Sequence, residues 1–344
     1  ACFSRLSGLY VYEHILITCS KPEKSTTRKD INIMAQITAK MVAELRAKTG
    51  CGMMDCKKAL VETDGDFDGA VKVLRERGLA VAAKKADRIA AEGLVAIKFN
   101  DANDKAAMIE VNSETDFVAK NADFQAFVDG LLDTILACNP ADNDALMACT
   151  YAGGADTVEA ALKDKIYTIG ENIQIRRFVV AHGTIGSYVH GKGQTGILVE
   201  FEADDAVKNA PEFAAYAKNI ALQLAGAGVP AVYVNKEDVP QSALDEEKEI
   251  IKAQIANDEK NKNKPEAIIE KMVMGKLSKF YEKYCLCEQE YVKDDKMTVA
   301  AYTAATAKEL GGSIKIKNFY RFEKGEGLQK REDNFAEEIA SMIK

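Results

Sequence analysis

The chain has 344 residues, of which 47% are hydrophobic, so it is long enough to bury a core in two or three domains. Its formal net charge is -7, and its lysines and arginines are interspersed with acids, which argues against sequence-independent binding of nucleic acid. No run of about 18 apolar residues is present, so we expect neither a membrane-spanning segment nor a membrane partner.

Residues 1–33 are predicted to be an extension outside the folded part of the chain. They mix serine and threonine with charged residues, and the apolar segment at residues 9–17 is too interrupted for the core of a signal peptide. The acidic residues among them argue against a transit peptide. We expect this extension to be disordered.

Residues 34–86 are predicted to form a module of three short helices. Thr38 is a plausible cap of the first helix, whose apolar positions recur at helical spacing until a glycine interrupts them. Asp55 is expected to cap the second helix and Asp66 to open the third, which we expect to end at Gly78. Three such helices can hold a small core of their own.

Met53 and Met54 lie, by this prediction, in the loop between the first two helices. Side chains in such loops tend to point outward, and pairs of methionines make adaptable surfaces for partners. Packing inside the core of the module is the alternative, and the residues alone leave both interpretations open.

A strand-to-helix corner carries the most unusual residues of the chain. An apolar run at residues 106–109 predicts a strand, and an amphipathic pattern from about residue 123 predicts a helix. Between them Thr115 is a plausible helix cap, Asp116 has no evident partner and Phe117 is aromatic. In one interpretation Phe117 begins the buried face of the helix and Asp116 caps it. In the other, Phe117 projects from the corner as a wedge.

The hairpin, corner and helix of residues 93–137 recur as a second copy at residues 184–225. The anchor KNADF in the first copy echoes KNAPEF in the second, and Ile-Glu-Val echoes Val-Glu-Phe. Between these anchors the first copy is two residues longer, and it offers Thr-Asp-Phe where the second, at residues 204–206, offers Asp-Asp-Ala. A packing residue would tend to recur in both copies, so this comparison favours a projecting Phe117.

A glycine-rich turn at residues 186–193 reads GSYVHGKG and satisfies the GxxxxGK pattern of a P-loop. Gly193 follows the lysine, where a P-loop has a magnesium-binding Ser or Thr, and a strand-like segment comes next instead of a helix. We therefore predict no direct nucleotide binding here. His190, in the same turn, is expected to be solvated or satisfied by a neighbour.

The last third of the chain is predicted to contain a helical hairpin. Residues 241–281 are charged with regularly spaced apolar positions, and a break at residues 261–265 divides them into two helices that pack antiparallel. A helix near residues 298–310 and a strand-like segment at residues 313–323 follow. The final helix is predicted from apolar residues on one face: Phe335, Ile339, Met342 and Ile343.

The sequence offers no catalytic constellation. Neither a Ser–His pair nor a metal cluster is evident, and the chain has only three histidines. Its eight cysteines form no CxxC pair, so we interpret them as free thiols in a reducing cytoplasm. These features favour a binding protein without a cofactor, whose chemistry occurs in its partner. The alternatives are an adaptor that binds another protein through the three-helix module, and an enzyme built around the glycine-rich turn.

Two long motifs carry a family resemblance. Residues 45–60 read LRAKTGCGMMDCKKAL and residues 110–120 read EVNSETDFVAK, and both runs are rich in unusual residue choices. With the shorter matches IGENI, GSY and RFE at residues 169–173, 186–188 and 321–323, they make the chain resemble translation elongation factor Ts of the bacterial type. The resemblance covers residues 34–344.

The resemblance implies a guanine-nucleotide exchange factor, not an enzyme, that binds elongation factor Tu and carries no cofactor. In the family, residues that match Thr115, Asp116, Phe117 and Val118 dislocate the partner's magnesium ion. Further contacts are implied for Arg46, Met53 and Met54 with the partner's nucleotide-binding domain, and for His190 with another of its domains.

The implied architecture is α+β. It starts with a three-helix module like the ubiquitin-associated fold and continues with two repeated hairpin-plus-helix core subdomains. A protruding helical hairpin and a C-terminal helical module complete it. The predicted division is an extension at 1–33, the N-terminal module at 34–86, core subdomain one at 87–175, core subdomain two at 176–240 and 282–314, the hairpin at 241–281 and the C-terminal module at 315–344.

Overall fold

A computed structural model describes residues 37–258 and 264–329, and it confirms the mixed α+β class. The predicted extension and the predicted final helix lie outside these described residues. The chain divides into two compact units, residues 1–74 and residues 75–344. The helices are α1 Ala39–Thr49, α2 Met53–Glu62, α3 Phe67–Lys85, α4 Asp116–Ala119, α5 Ala122–Cys138, α6 Asn143–Ala148, α7 Val158–Ile169, α8 Asp205–Lys208, α9 Pro211–Gly226, α10 Gln241–Asn257, α11 Glu266–Tyr284 and α12 Val299–Glu309. The strands are β1 Glu92–Phe99, β2 Lys105–Ser113, β3 Ile173–His182, β4 Thr184–His190, β5 Thr195–Ala203, β6 Glu290–Tyr291, β7 Asp294–Thr298 and β8 Ile314–Glu323.

The first unit begins with the predicted helices. The Thr38 hydroxyl accepts from the Met41 N–H and caps α1, which confirms the prediction. The expected cap of α2 is wrong, because the helix begins two residues earlier, after Gly52, and Asp55 lies in its first turn. The Gly52 carbonyl already accepts from the N–H groups of Asp55 and Cys56, so the helical ladder starts there.

The expected end of α3 at Gly78 is also wrong, because α3 continues to Lys85. The residues after Gly78 are leucine, alanine, valine and lysine, and a single glycine costs a helix only about 1 kcal/mol relative to alanine. Gly78 is buried against Tyr167, where an added Cβ would lie 3.5 Å from the tyrosine Cβ. That distance is an ordinary van der Waals contact, so the helix continues through Gly78 because the cost of one glycine is small.

The first sheet in the second unit has the order β1-β2-β3, and all its pairs are antiparallel. The central strand β2 is buried from Ala106 to Ser113, because the sheet is covered on both faces. Helix α5 covers one face with buried side chains that include Phe124, Phe127 and Leu131. The third strand, β3, was not anticipated from the sequence.

The second sheet has the order β4-β5-β8, and α9 covers one of its faces. Strand β8 pairs with β5 from the Ala203–Ile314 pair to the Thr195–Glu323 pair. The strand-like segment predicted at residues 313–323 is therefore confirmed, and it completes this sheet. A domain boundary at residue 315 would separate β8 from the sheet to which it is hydrogen-bonded.

The two sheets repeat the same local design. In each, the middle strand has a register shift at a buried glutamate, Glu110 in β2 and Glu200 in β5. Each middle strand then leads into a four-residue helix, α4 or α8, and onward into a long covering helix. The remaining faces of the sheets pack on each other, and an added Cβ at Gly196 would lie 2.5 Å from Val95 Cγ1.

Helices α10 and α11 pack side by side along an apolar seam formed by Ile251, Ile255 and Val273. Lys276 donates to the Gln254 side chain across this seam at 3.3 Å. The described segments of the chain include no helix with the length and apolar character needed to span a bilayer.

Candidate functional site

The corner between β2 and α4 holds all four residues that the sequence predicted to act on a partner's magnesium ion: Thr115, Asp116, Phe117 and Val118. Thr115 occupies the N-cap position of α4, but its side chain does not cap the helix, so that expectation is wrong. Its hydroxyl donates instead to Glu171 Oε1 at 2.7 Å, and its N–H donates to Glu171 Oε2 at 3.0 Å. The Ser113 hydroxyl donates to the Thr115 carbonyl at 2.9 Å. The backbone that precedes the helix is therefore fixed on both sides.

Phe117 is the most exposed large apolar residue among those that the structure describes. Its side chain is 77% exposed, whereas the next residue, Val118, is buried in the first core. The interpretation in which Phe117 begins the buried face is therefore wrong. Fully burying such a side chain is worth about 1.5–3 kcal/mol, and this contribution is unused in the isolated chain. An exposed ring held next to a buried valine has the geometry of a wedge.

The sequence suggested that Asp116 has no partner, but the structure gives it one. Lys120, one turn later, donates to its carboxylate at 2.6 Å, and the same ammonium lies 5.6 Å from the centroid of the Phe117 ring. The hydrogen bond from Lys120 lowers the pKa of Asp116 below its usual value, so this carboxylate is ionised at neutral pH. The corner thus presents an acidic group, a basic group and an apolar ring within one helical turn.

A second set of contacts holds the corner from behind. Glu114 accepts from the Asn172 N–H at 2.6 Å and from the Arg88 guanidinium at 3.3 Å. The Asn172 side chain in turn donates to the Arg88 carbonyl at 2.8 Å and to the Ala86 carbonyl at 3.3 Å. These residues come from the segment after α3, from the corner and from the start of β3, so three separate parts of the chain are joined here.

Glu110, on the strand that leads into the corner, has a carboxylate with no solvent exposure. It accepts from Arg176 at 2.9 Å, from Arg177 at 2.7 Å and from the Gly325 N–H at 2.8 Å. Burial alone would raise the pKa of Glu110, but these three hydrogen bonds together outweigh it and hold the pKa below its usual value. The ionised carboxylate therefore ties β2 to β3 and to the turn after β8.

His190 lies on a different hairpin, at the exposed end of β4. Its Nδ1 is 3.2 Å from the Tyr188 hydroxyl, which satisfies one ring nitrogen. The glycine-rich turn next to it, with Lys192 at a φ of 56°, leads directly into β5. The turn therefore lacks the helix N-terminus that a P-loop uses to hold phosphates.

The remaining predicted contacts lie in the first unit. Arg46 is exposed in the last turn of α1, and Met53 and Met54 are 54% and 62% exposed. The expectation that the methionines lie in a loop is wrong, because they form the first turn of α2. Packing in the core of the module is also wrong for them. They form an exposed apolar pair on a rigid helix.

The described residues offer few groups for chemistry. Within residues 37–258 and 264–329, no cluster of three or more His, Cys, Asp or Glu side chains is arranged to hold a metal ion. Burial raises the pKa of both Cys285 and Cys287 to about 11, so these thiols are protonated and unreactive at neutral pH.

Glu171, Glu114 and Asn172 are the residues of this site that sequence reasoning missed. Glu171 and Asn172 follow Gly170, which ends α7 in a left-handed conformation, and they precede β3. An acid and an amide between a helix-ending glycine and a strand are a recognisable signal for a turn with side-chain contacts. The corner residues that Glu171 and Asn172 bind, Thr115 and Glu114, are more than 50 positions away, so the sequence did not indicate these contacts.

Comparisons with known proteins show the family of this chain. The family model described as Elongation factor TS matches residues 114–326, a range that includes the corner and both Glu171 and Gly325. A protein named Elongation factor Ts from Symbiobacterium thermophilum is 50% identical over 311 residues, which cover 89% of this chain and 98% of that protein. Proteins of the same name from Clostridium botulinum (strain Alaska E43 / Type E3) and Clostridioides difficile (strain 630) are each 46% identical, over 310 and 313 residues, with 89% and 90% of this chain covered and 99% and 100% of theirs. The chain belongs to the elongation factor Ts family.

Proposed function

We propose that this protein is a guanine-nucleotide exchange factor that binds elongation factor Tu and promotes GDP release during translation elongation. The observation that carries the proposal is the exposed Phe117 on a corner whose backbone is fixed by Glu171 and Ser113. The exposed ring adds no buried area to the isolated fold, whereas its burial against a partner would stabilise the complex.

Exchange follows from thermodynamic linkage. If the factor binds empty elongation factor Tu more tightly than the GDP-bound form, it must weaken GDP binding by the same ratio. The required preference arises if Phe117 is buried chiefly in the nucleotide-free complex. At about 1.5–3 kcal/mol for a fully buried side chain, this burial alone accounts for roughly a 10- to 100-fold change in GDP affinity.

Asp116 and Phe117 together would act on the magnesium site of the partner. Magnesium neutralises the phosphate charge of the bound nucleotide, so displacing one of its ligands loosens the nucleotide. The wedge would enter between partner helices near this ion and shift them, while Thr115 and Val118 hold its base. Asp116 enters as a carboxylate already paired with Lys120, so its negative charge is partly neutralised.

Further contacts would extend the interface. Met53 and Met54 form an exposed apolar pair suited to a protein surface, and we place them with Arg46 against the nucleotide-binding domain of the partner. We place His190 against another domain. In this proposal the division into modules stays as predicted from the sequence, except that β8 is counted with core subdomain two. The N-terminal helices resemble the ubiquitin-associated fold, and the protein works in the cytoplasm without a cofactor of its own.

Release of labelled GDP from purified elongation factor Tu tests the proposal. The factor should accelerate release at a concentration well below that of elongation factor Tu, because each molecule acts repeatedly. An adaptor that binds through its helical module would bind at most stoichiometrically and leave the release rate unchanged. Unaltered release in the presence of the folded protein would contradict the proposal.

A further inference from the structure

In each corner of the second unit, a carboxylate accepts two hydrogen bonds that join the corner to the residues just before the third strand of the same sheet. We call this pair of hydrogen bonds a latch. In the first corner, Thr115 is bound to Glu171, two residues before β3. In the second, the Asp204 carboxylate accepts from the N–H of Ser313 at 2.6 Å and from its hydroxyl at 2.9 Å, directly before β8. The repeated fold therefore contains the same latch twice, with the carboxylate on opposite sides.

The corner residue is the donor in the first latch and the acceptor in the second, and this difference affects how the short helix that follows is held. In the second corner the acid sits at the N-cap of α8, and the hydrogen bonds from Ser313 lower the pKa of Asp204. In the first corner the N-cap residue is Thr115, which donates both its N–H and its hydroxyl to a single carboxylate. Two donors that share one carboxylate fix the position and the direction of Thr115, and with it the start of the turn that carries Phe117.

Glu171 is itself held in place. The residue before it, Gly170, has a carbonyl that accepts from the Lys85 ammonium, and the residue after it, Asn172, is bound to Glu114 and to the segment after α3. The carboxylate is therefore presented from a backbone anchored on both sides. A carboxylate on such a support has little freedom to follow Thr115 if the corner moves.

We propose that Glu171 is a positioning residue for exchange, which orients the Phe117 wedge through its two hydrogen bonds to Thr115. The inference rests on the proposed function, since it names the group that keeps the wedge ready before the partner arrives. Val118, the hydrogen bond from Ser113 and this latch fix the start of the turn, since α4 has four residues and no side chain caps it. Preorganisation of this kind lowers the cost of inserting the ring in the nucleotide-free complex, so it acts on the step in which GDP leaves and not on the first association, which the rest of the interface provides.

The first test is Glu171→Gln, which keeps the shape but replaces the charged acceptor by a neutral amide, whose oxygen still accepts from the Thr115 N–H while its nitrogen can only donate to the Thr115 hydroxyl. We expect the maximal rate of stimulated GDP release to fall about tenfold, which corresponds to about 1.4 kcal/mol. The concentration of factor for half-maximal stimulation should change less than about twofold, because the rest of the interface is intact. A proportional change in both quantities, or none in the maximal rate, would overturn the inference.

The matched control is Asp204→Asn, which weakens the equivalent latch in the second corner, where Ala206 stands in place of the wedge. We expect it to lower the melting temperature at least as much as Glu171→Gln does, and to leave exchange unchanged at a temperature where both variants are folded. Equal losses of exchange in the two variants would mean that Glu171 acts only through overall stability, and would contradict the positioning role.

A double-mutant cycle separates positioning from direct contact with the partner. Thr115→Val removes the hydroxyl donor, and Thr115→Ser retains it and should preserve exchange. If Glu171 acts through Thr115, the double variant Thr115→Val with Glu171→Gln loses no more activity than the more impaired single variant. Additive losses would show that Glu171 touches the partner itself. Failure of the parent protein to stimulate release would instead reject the proposed function and not the latch.

Discussion

Phe117 and Ala206 occupy the same position in two copies of one strand–corner–helix unit. Each is the second residue of a four-residue helix, and each precedes a buried valine, Val118 or Val207. The valines show that this turn packs on its sheet in the same way in both copies. A large apolar side chain is therefore unnecessary for the fold at this position, and the one at Phe117 must be explained by something outside the isolated chain.

Phe117→Ala should reduce the coupling between factor and nucleotide by roughly 10- to 100-fold, because the variant loses the burial of the ring in the complex. Its melting temperature should equal that of the parent protein, since the ring is exposed. The measurement is GDP release at saturating factor, with a melting curve of the variant alone. A destabilised variant with normal exchange would show that Phe117 serves the fold and not exchange.

The buried Phe124 provides the contrast. Phe124→Ala removes a ring with no exposure from the first core, and such a change costs about 3–5 kcal/mol of stability. We expect this variant to melt early and, at temperatures where it is folded, to exchange nucleotide normally. Phe117→Ala should therefore lose exchange and keep stability, whereas Phe124→Ala should lose stability and keep exchange.

Asp116→Asn should impair exchange less than Phe117→Ala. The carboxylate is exposed and paired with Lys120 one turn away, and such a pair contributes little to stability and is screened by salt. We expect an unchanged melting temperature and a modest fall in the exchange rate that shrinks as the salt concentration rises. A loss as large as that of Phe117→Ala would show that the charge, and not the ring, carries the coupling.

The sequence predicts much of this corner, because the signals involved are local. Helical periodicity and the repeated anchors locate the two copies, and the contrast between Phe117 and Ala206 indicates which side chain projects. The strand β3 was missed because Arg176 and Arg177 interrupt its apolar pattern, and the buried Glu110 that accepts from both of them is distant in the sequence. The latch at Glu171 was missed because its partner, Thr115, is 56 residues away in the sequence.

Met53→Ala with Met54→Ala should weaken binding to elongation factor Tu without unfolding the first unit. Both side chains are exposed on the first turn of α2, so their removal takes away contact surface and leaves the core intact. Circular dichroism of the variant and its affinity for the partner should therefore diverge. Loss of helical signal together with affinity would place the methionines among the structural residues of the module.

Lys192→Ala should have no effect that depends on nucleotide binding by this protein. Lys192 lies in a turn between two strands, in a left-handed backbone conformation, and not at the start of a helix. Equilibrium dialysis of the parent protein with GDP or GTP should show no specific binding. Saturable binding that the variant loses would revive an enzymatic role for the glycine-rich turn.

Glu110→Gln should destabilise the second unit in a manner that depends on pH. The substitution removes the charged partner that Arg176 and Arg177 share. Both arginines are partly exposed, so we expect a cost below the roughly 3–5 kcal/mol of breaking a fully buried ion pair. The pKa of Glu110 is lowered in the folded state, so its contribution is present above the pKa of the unfolded chain, about 4.3, and is lost as pH falls through the folded value.

The difference in unfolding free energy between the parent protein and Glu110→Gln should therefore be largest at neutral pH and should shrink below about pH 4.3. Urea unfolding at a series of pH values measures it. Glu200→Gln is the control, because Glu200 occupies the equivalent position in the second sheet but accepts from the His182 N–H at 2.9 Å, which a glutamine can still satisfy. If both variants lose the same stability at every pH, the cost comes from changing a buried side chain, and the ionised carboxylate of Glu110 does not hold the first sheet to the turn after β8.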